Sequence, residues 1–272
     1  MRYRFLLCGS LALMTAVATT GWTVDADAVG GVWQFDDLAG DAIVDSSGNG
    51  NDGTLVNGPE WVDGKFGTAL EFSQTTGSYA LVPVQHSNTA TVTMWAMYTA
   101  TPSTNIGLIH AQATDGDLGG AETKMIGVWV ENTNLLWGRI IDPAGARVNL
   151  PKNATLEADT WFHIALVVDA AAGVVTQWVN GEQVGDSAYA GELGEYSYLK
   201  IGRQGTESWE GRMDDVGYFT EALSSDDLAA IYNLGLQSVT VAVEPRGKAA
   251  TTWAGIKGDA RADAAMGNHS DR

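Results

Sequence analysis

The chain has 272 residues, 45% of them hydrophobic, with 33 glycines and 10 tryptophans, a mixture that suits short strands joined by turns rather than long helices. Its formal charge of −18 argues against nucleic acid or an acidic lipid surface as a partner and favours divalent cations. The one cysteine, Cys8, falls in an N-terminal leader, so the mature fold is expected to rest on its core or on a metal rather than on disulfides.

Arg2 and Arg4 precede an almost wholly apolar run from Phe5 to Val17, and Ala26-Asp27-Ala28 then offers an A-x-A cleavage pattern. Residues 1–28 therefore read as a secretory signal peptide, with Ala16-Val17-Ala18 as an earlier possible cut. Leu7 is too large for a lipoprotein signal before Cys8. No later apolar run approaches the roughly 18 residues of a membrane helix, so a secreted, extracellular protein without membrane insertion is expected.

The first polar cluster of the body is the loop Asp45–Gly53. Asp45, Ser47 and Asn49 stand at positions 1, 3 and 5 of half an EF-hand loop, with Gly50 at 6, but Val56 fills position 12, where a bidentate Glu is required. An EF-hand is thereby rejected. With Asn51, the loop still concentrates short oxygen side chains on a glycine-rich backbone. Two readings stay open: ligands for a hard cation, from Asp45, Asn49 and Asn51, or an Asx-turn in which these side chains cap their own backbone.

Strands are expected near 68–72, 78–84, 91–98, 106–112, 123–130, 134–141, 161–168, 173–179, 197–202 and 210–219, separated by turn clusters such as Asn57-Gly58-Pro59, Asp142-Pro143 and Asn180-Gly181. Regular short strands of this kind predict an all-β, two-sheet antiparallel sandwich. Within 161–168 both alternating faces are apolar, as for a strand covered on two sides. Trp129 and Trp137 fall near the middle of adjacent strands, with Asn134 and Arg139 close by. An indole face with neighbouring amides and charges is the chemistry of a sugar site, and core packing is the alternative for the two rings.

One short C-terminal helix follows. Ser224 is its N-cap, Asp226 and Asp227 lie in its first turn, Leu228, Ile231 and Tyr232 form its buried stripe, and Gly235 stops it. Beyond this point the composition changes. Residues 29–239 carry eight basic and 27 acidic side chains, whereas 240–272 carry five and four. The latter segment, rich in Ala, Gly and Asp, reads as a flexible tail.

Several words in the body stand together: Trp33-Gln34-Phe35-Asp36-Asp37, the 45–53 loop, Gly64-Lys65-Phe66-Gly67, Thr93-Met94-Trp95, Trp161-Phe162-His163, Trp178-Val179-Asn180-Gly181 and Trp209-Glu210-Gly211-Arg212-Met213-Asp214-Asp215. In this order and spacing they resemble the bacterial laminin-G-like, concanavalin A-like jelly-roll family, over about residues 30–235. The resemblance implies two stacked antiparallel sheets, frequent calcium binding, and carbohydrate or protein ligands. It also implies that an acidic N-terminal strand comes near the last long strand, so that Asp36 and Asp214 share a structural calcium ion. Alternation along that strand is expected to send Asp215 to the opposite face.

Enzymes of this fold group resemble one another in a strand-borne E-x-D-x-x-E set, in which carboxylates act as nucleophile and acid. The nearest match here, Glu157-Ala158-Asp159, lacks the third acid and precedes a strand. His163 reads as a half-buried structural histidine, and no histidine pair has zinc-ligand spacing. The expectation is thus a non-catalytic, lectin-like module binding carbohydrate with calcium. A protein-binding adhesive module is the alternative, and a glycoside hydrolase the third reading.

Overall fold

The computed structural model describes residues 24–37, 40–99, 101–115, 126–189, 192–204 and 207–237. Most of the expected signal peptide 1–28, up to residue 23, and the whole expected tail 240–272 lie outside the described residues. After a 3-10 turn at Ala26–Ala28 the strands run β1 Val29–Trp33, β2 Ala42–Ile43, β3 Gly53–Val56, β4 Glu60–Asp63, β5 Thr68–Phe72, β6 Tyr79–Pro83, β7 Ala90–Tyr98, β8 Ile106–Gln112, β9 Ile126–Val130 and β10 Leu135–Ile141. There follow β11 Arg147–Asn149, β12 Ala154–Thr155, β13 Phe162–Asp169, β14 Val174–Val179, β15 Glu182–Ala188, β16 Tyr198–Ile201, β17 Arg203–Gln204, β18 Glu207–Ser208 and β19 Gly211–Phe219, then helix α1, Ser225–Leu234.

Eight strands form one sheet in the order β15-β14-β13-β7-β19-β5-β4, with β1 beside β19. Nine form the other, β11-β10-β9-β8-β16-β6-β3-β2, with β12 beside β10, while β17 and β18 make a small hairpin. The pairings in both sheets are antiparallel, and neighbours such as β7 and β19 are far apart in the chain, as a jelly roll requires.

The core follows from period-2 alternation. Val92, Met94 and Ala96 of β7, Ile164, Leu166 and Val168 of β13, Val128 and Val130 of β9, and Leu136 and Ile140 of β10 belong to one buried cluster. The intervening residues therefore face outward: Thr93, Trp95 and His163 on the eight-stranded sheet, Trp129, Trp137 and Arg139 on the nine-stranded one. The second apolar face expected for 161–168 is real, because α1 lies over it. Tyr232 stacks on Trp95 with ring centroids 5.6 Å apart and sits 6.1 Å from His163.

The helix begins and ends where its signals stand. The Ser224 hydroxyl accepts from Asp227 N while the Asp227 carboxylate accepts from Ser224 N, a capping box with Asp in place of Glu. Leu228 and Ile231 are buried, and Gly235 closes the helix at φ 72°. The Asn180-Gly181 link between β14 and β15 has φ of 52° and 80°, the two left-handed residues of a type I′ hairpin.

The expected strands are present, with ends shifted by a residue or two. The strand expected at 123–130 is described from Ile126, and 116–125 fall outside the described residues. The reading missed β1, β2, β3, β4, β11, β12, β15, β17 and β18. β15 carries Glu182, Gln183 and Asp186 at the end of its sheet, where one side of the strand needs no apolar partner.

Candidate functional site

Two acidic words meet at one turn. Asp214 on β19 is fully buried. Its Oδ2 accepts from Lys65 N at 2.8 Å and Phe66 N at 2.9 Å, and its Oδ1 accepts from Asp215 N at 2.8 Å. Asp36 reaches the other end of the same turn, where its Oδ1 accepts from Thr68 N at 2.9 Å. Asp36 and Asp214 thus hold opposite ends of the same 64–68 turn. No ion pair reaches Asp214 among the described residues, and burial pushes its carboxyl up to about 8, against the backbone N–H groups it accepts.

Alternation fails at Asp215. A bulge between Asp214 and Gly217, with Asp215 at φ 46°, turns this residue so that its Oδ2 accepts from Leu236 N at 2.8 Å. A Cβ on Gly235 would lie 2.7 Å from that oxygen and 3.1 Å from the Phe66 ring, so Asp215 also comes to the turn rather than to the opposite face. Burial, and then the nearby charge of Asp36, raise its carboxyl to about 6.

The 45–53 loop does something different. Asp45 Oδ1 accepts from Val32 N and Ser47 N, both at 3.0 Å, and Oδ2 accepts from Asn51 N at 3.0 Å. Asn49 and Asn51 donate their amides to Val29 O at 2.6 Å and Gly30 O at 2.7 Å. These are the bonds of the Asx-turn reading: the loop caps itself and pins β1. Among the described residues no three His, Cys, Asp or Glu side chains stand together as metal ligands. The carboxylate oxygens at the 64–68 turn are fewer than the six to eight oxygens a calcium ion takes, and both oxygens of Asp214 already accept backbone N–H bonds.

On the outward face of the nine-stranded sheet, Trp129 and Trp137 are direct cross-strand partners. Their rings stack with centroids 4.6 Å apart and planes 14° apart, in a small cluster with Ile141 that is separate from the main core. Gly127 makes room, since a Cβ there would lie 2.4 Å from the Trp129 ring. The Arg139 guanidinium stands 4.8 Å from the Trp137 centroid and 5.6 Å from that of Trp129, and the Lys152 ammonium 5.0 Å from Trp137. Arg139 Nε donates to Asn149 Oδ1 at 2.7 Å, and Lys152 pairs with Glu131.

The rings are only 2% and 8% exposed, which corrects the picture of an open stacking platform: each indole covers the other, and cations lie over them. They are nonetheless not main-core residues. Among the described residues, Trp137 Nε1 and Asn134 Oδ1 are buried without a hydrogen-bond partner. Asn134 shapes the β9–β10 turn at φ 63°.

A third feature escaped the sequence reading. A cavity of about 210 Å³ at the β4–β5–β19 end of the eight-stranded sheet is lined by Glu60, Glu71, Glu210, Ser73, Ser78 and Thr99, among others. Glu60 and Glu71 are cross-strand partners. Glu71 accepts from Arg212 at 3.5 Å, and Glu210 accepts from Gln74 N at 2.6 Å. No spacing signal unites positions 60, 71 and 210; only strand pairing does. Glu157 and Asp159, by contrast, lie outside the strands, Asp159 at φ 56° in a turn. His163 is fully buried with Nε2 2.6 Å from Thr93 Oγ1, and burial lowers its pKa to about 3.

A family model described as the concanavalin A-like lectin/glucanases superfamily, Laminin_G_3, matches residues 73–229. Among solved structures the chain is similar to domain 4 of AbnA, a GH43 extracellular arabinanase from Geobacillus stearothermophilus, in complex with arabinotriose, at 19% identity and TM-score 0.59, covering 75% of this chain and 98% of that one. It is also similar to the botulinum neurotoxin serotype D binding domain, at 14% identity, TM-score 0.60, and 76% and 51% coverage. A third likeness is Trypanosoma rangeli sialidase in complex with the inhibitor DANA, at 14% identity, TM-score 0.57, and 75% and 32% coverage. The chain thus spans about half the length of the toxin domain. No curated protein matches it. The two-sheet sandwich, the order of its words and the match over 73–229 agree: the chain belongs to the concanavalin A-like lectin/glucanases superfamily.

Proposed function

We propose that the chain is an exported, non-catalytic module that binds carbohydrate on the outward face of the nine-stranded sheet, around Trp129, Trp137, Asn134 and Arg139. The observation that carries this reading is the aromatic pair itself. Two large rings stand outside the main core, and the buried Trp137 Nε1 has no hydrogen-bond partner among the described residues. A buried donor without an acceptor is costly, and a ligand oxygen would satisfy it. The arabinotriose complex of the similar domain adds support from the same fold.

A binding role fits the acidic cavity better than hydrolysis does. A glycosidase needs one carboxyl group that delivers a proton to the leaving oxygen. Glu71 and Glu210 instead act as acceptors, from Arg212 and from Gln74 N. Calcium enters this reading as a stabilising ion at the Asp36–Asp214 turn. A buried carboxyl with no basic partner supports it, and the remaining oxygens would come from backbone or water.

A glycan array probed with the full chain, in calcium and in chelator, tests the proposal. Selective binding of a saccharide series that Trp137→Phe weakens is the expected result. That variant keeps an aromatic ring and loses Nε1. An array without a single bound glycan would contradict it. It would favour the second reading, a protein ligand, for which the similarity to the receptor-binding domain of botulinum neurotoxin D speaks.

A further inference from the structure

The outward face of the nine-stranded sheet runs against the charge of the chain. Residues 29–239 carry 27 acidic side chains and eight basic ones. Of the seven basic side chains among the described residues, five, Arg139, Arg147, Lys152, Lys200 and Arg203, lie on β10, β11, β16, β17 or the segment after β11. Arg139, Arg147 and Lys200 fall on the outward side of their strands, although Lys200 is itself fully buried. Arg139 shares its side of β10 with Trp137 and Ile141, Arg147 is the cross-strand partner of Ile141, and Lys200 lies between the core residues Leu199 and Ile201.

These cations are not scattered. Arg139 and Lys152 stand over the Trp129–Trp137 pair. Lys200 Nζ is 4.6 Å and the Arg203 guanidinium 5.5 Å from the centroid of Tyr79, whose neighbours Ala80 and Val82 belong to the core. The two groups differ in exposure: Lys200 is fully buried and Arg203 belongs to the β17–β18 hairpin, whereas at the tryptophan pair Lys152 is exposed and Arg139 half-buried. A ring face attracts a cation and holds it in place.

The ring faces themselves are covered, so a neutral sugar could stack on them only by displacing Arg139 or Lys152. The groups nearer solvent are the cations. Arg147 and Lys152 are exposed and Arg139 is half-buried. A guanidinium fork meets a carboxylate or sulfate with two parallel hydrogen bonds.

We infer that the ligand of this face is an acidic polysaccharide, whose carboxylate or sulfate groups are met by Arg139, Arg147 and Lys152 while Trp129 and Trp137 hold the cations from beneath. The inference rests on the carbohydrate reading above and adds the chemical class. Trp129 and Trp137 become positioning residues. Glu131 and Asn149, which bond Lys152 and Arg139, orient the two cations.

Titration calorimetry of the full chain with four probes tests this: polygalacturonate for carboxylate, heparin for sulfate, linear arabinan as the neutral polymer, and duplex DNA as a polyanion without saccharide recognition. One or both acidic polysaccharides should bind, and the affinity should fall about tenfold or more between about 0.05 M and about 0.5 M salt. The double variant Arg147→Gln/Lys152→Gln, at exposed positions, should weaken that binding about tenfold or more with an unchanged melting temperature. Which acidic probe binds identifies the anionic group.

Arabinan bound as tightly as the acidic polymers, without salt dependence, would overturn the acidic class and leave the carbohydrate reading standing. Acidic binding untouched by the double variant would overturn the placement on this face. DNA bound as tightly as the polysaccharides would reduce the face to a general polyanion surface and overturn the proposal. No bound saccharide at all would remove both this inference and the reading on which it rests.

Discussion

Both sheets place a cation on an outward tryptophan, but only the eight-stranded sheet also packs a helix over it. On the eight-stranded sheet, Trp95 and His163 lie under α1, with Tyr232 stacked on the indole, Phe66 edge-on to it at 5.9 Å and the Lys65 ammonium 4.4 Å from its centroid. On the nine-stranded sheet, Trp129 and Trp137 lie under the side chains of Arg139 and Lys152. A helix seals a face for stability. A layer of cations covers rings while leaving charge at the surface. The same residue type, outward tryptophan on a strand, is thus covered by a helix in one sheet and by cationic side chains without a helix in the other.

That contrast can be broken by mutation. The largest expected effect is on the helix-covered side. Trp95→Ala should cost about 3–5 kcal/mol of stability, a fall in melting temperature of roughly 10 °C for a domain of this size, with saccharide affinity per folded molecule unchanged. Lost affinity in protein that remains folded would show that the helix-covered face also contributes to binding.

On the other face, Gly127→Ala sharpens the comparison. Its Cβ would stand 2.4 Å from the Trp129 ring, so the indole must shift, at a cost of about 1–3 kcal/mol. Because the ring supports Arg139, binding should weaken together with stability. A variant as stable and as tight-binding as the parent, in paired melts and titrations, would mean that the ring position is unimportant.

The pH dependence belongs to the helix side. Asp214 has a folded pKa raised from 3.8 to about 8, so its contribution is fully present at low pH and is lost as pH rises toward 8. Asp215, raised to about 6, loses its share lower in that range. His163 acts with the opposite sign. Its folded pKa is lowered from 6.5 to about 3, so its contribution is present above 6.5 and is lost as pH falls toward 3.

Between pH 6.5 and 8 only the Asp214 effect remains, and chelated protein should lose about 1–2 kcal/mol across that window. Millimolar calcium should flatten the decline by favouring the ionised carboxylate. Equal melting temperatures at both pH values, with and without calcium, would return Asp214 to plain backbone capping. The smallest effect is Ser224→Ala. Loss of the helix cap should cost about 1 kcal/mol in a thermal melt and leave ligand affinity unaltered.

Much of the fold was legible because its signals are local. Asn180-Gly181 requires left-handed backbone, and Ser224 with Asp227 makes a cap within one turn. The site was less legible because it depends on pairing. The alternation of Val128 and Val130 with Trp129, and of Leu136 with Trp137, separates two faces, but nothing in it says that the two indoles become direct partners and cover each other. Asp45 shows a second limit. Short oxygen side chains on a glycine-rich loop suit both calcium and backbone N–H groups, and here the bonds to Val32, Ser47 and Asn51 use them for the backbone. Asp215 shows a third, because a bulge cancels alternation without any mark in composition.

Hydrogen exchange of the full chain, free and saturated with the best-binding polysaccharide, tests most directly which face carries the ligand. Binding on the nine-stranded sheet predicts new protection in β9, β10, β11 and the segment through Lys152, with β7, β13 and α1 unchanged. Protection confined to β7, β13 and α1, or to the cavity around Glu60, Glu71 and Glu210, would contradict that assignment.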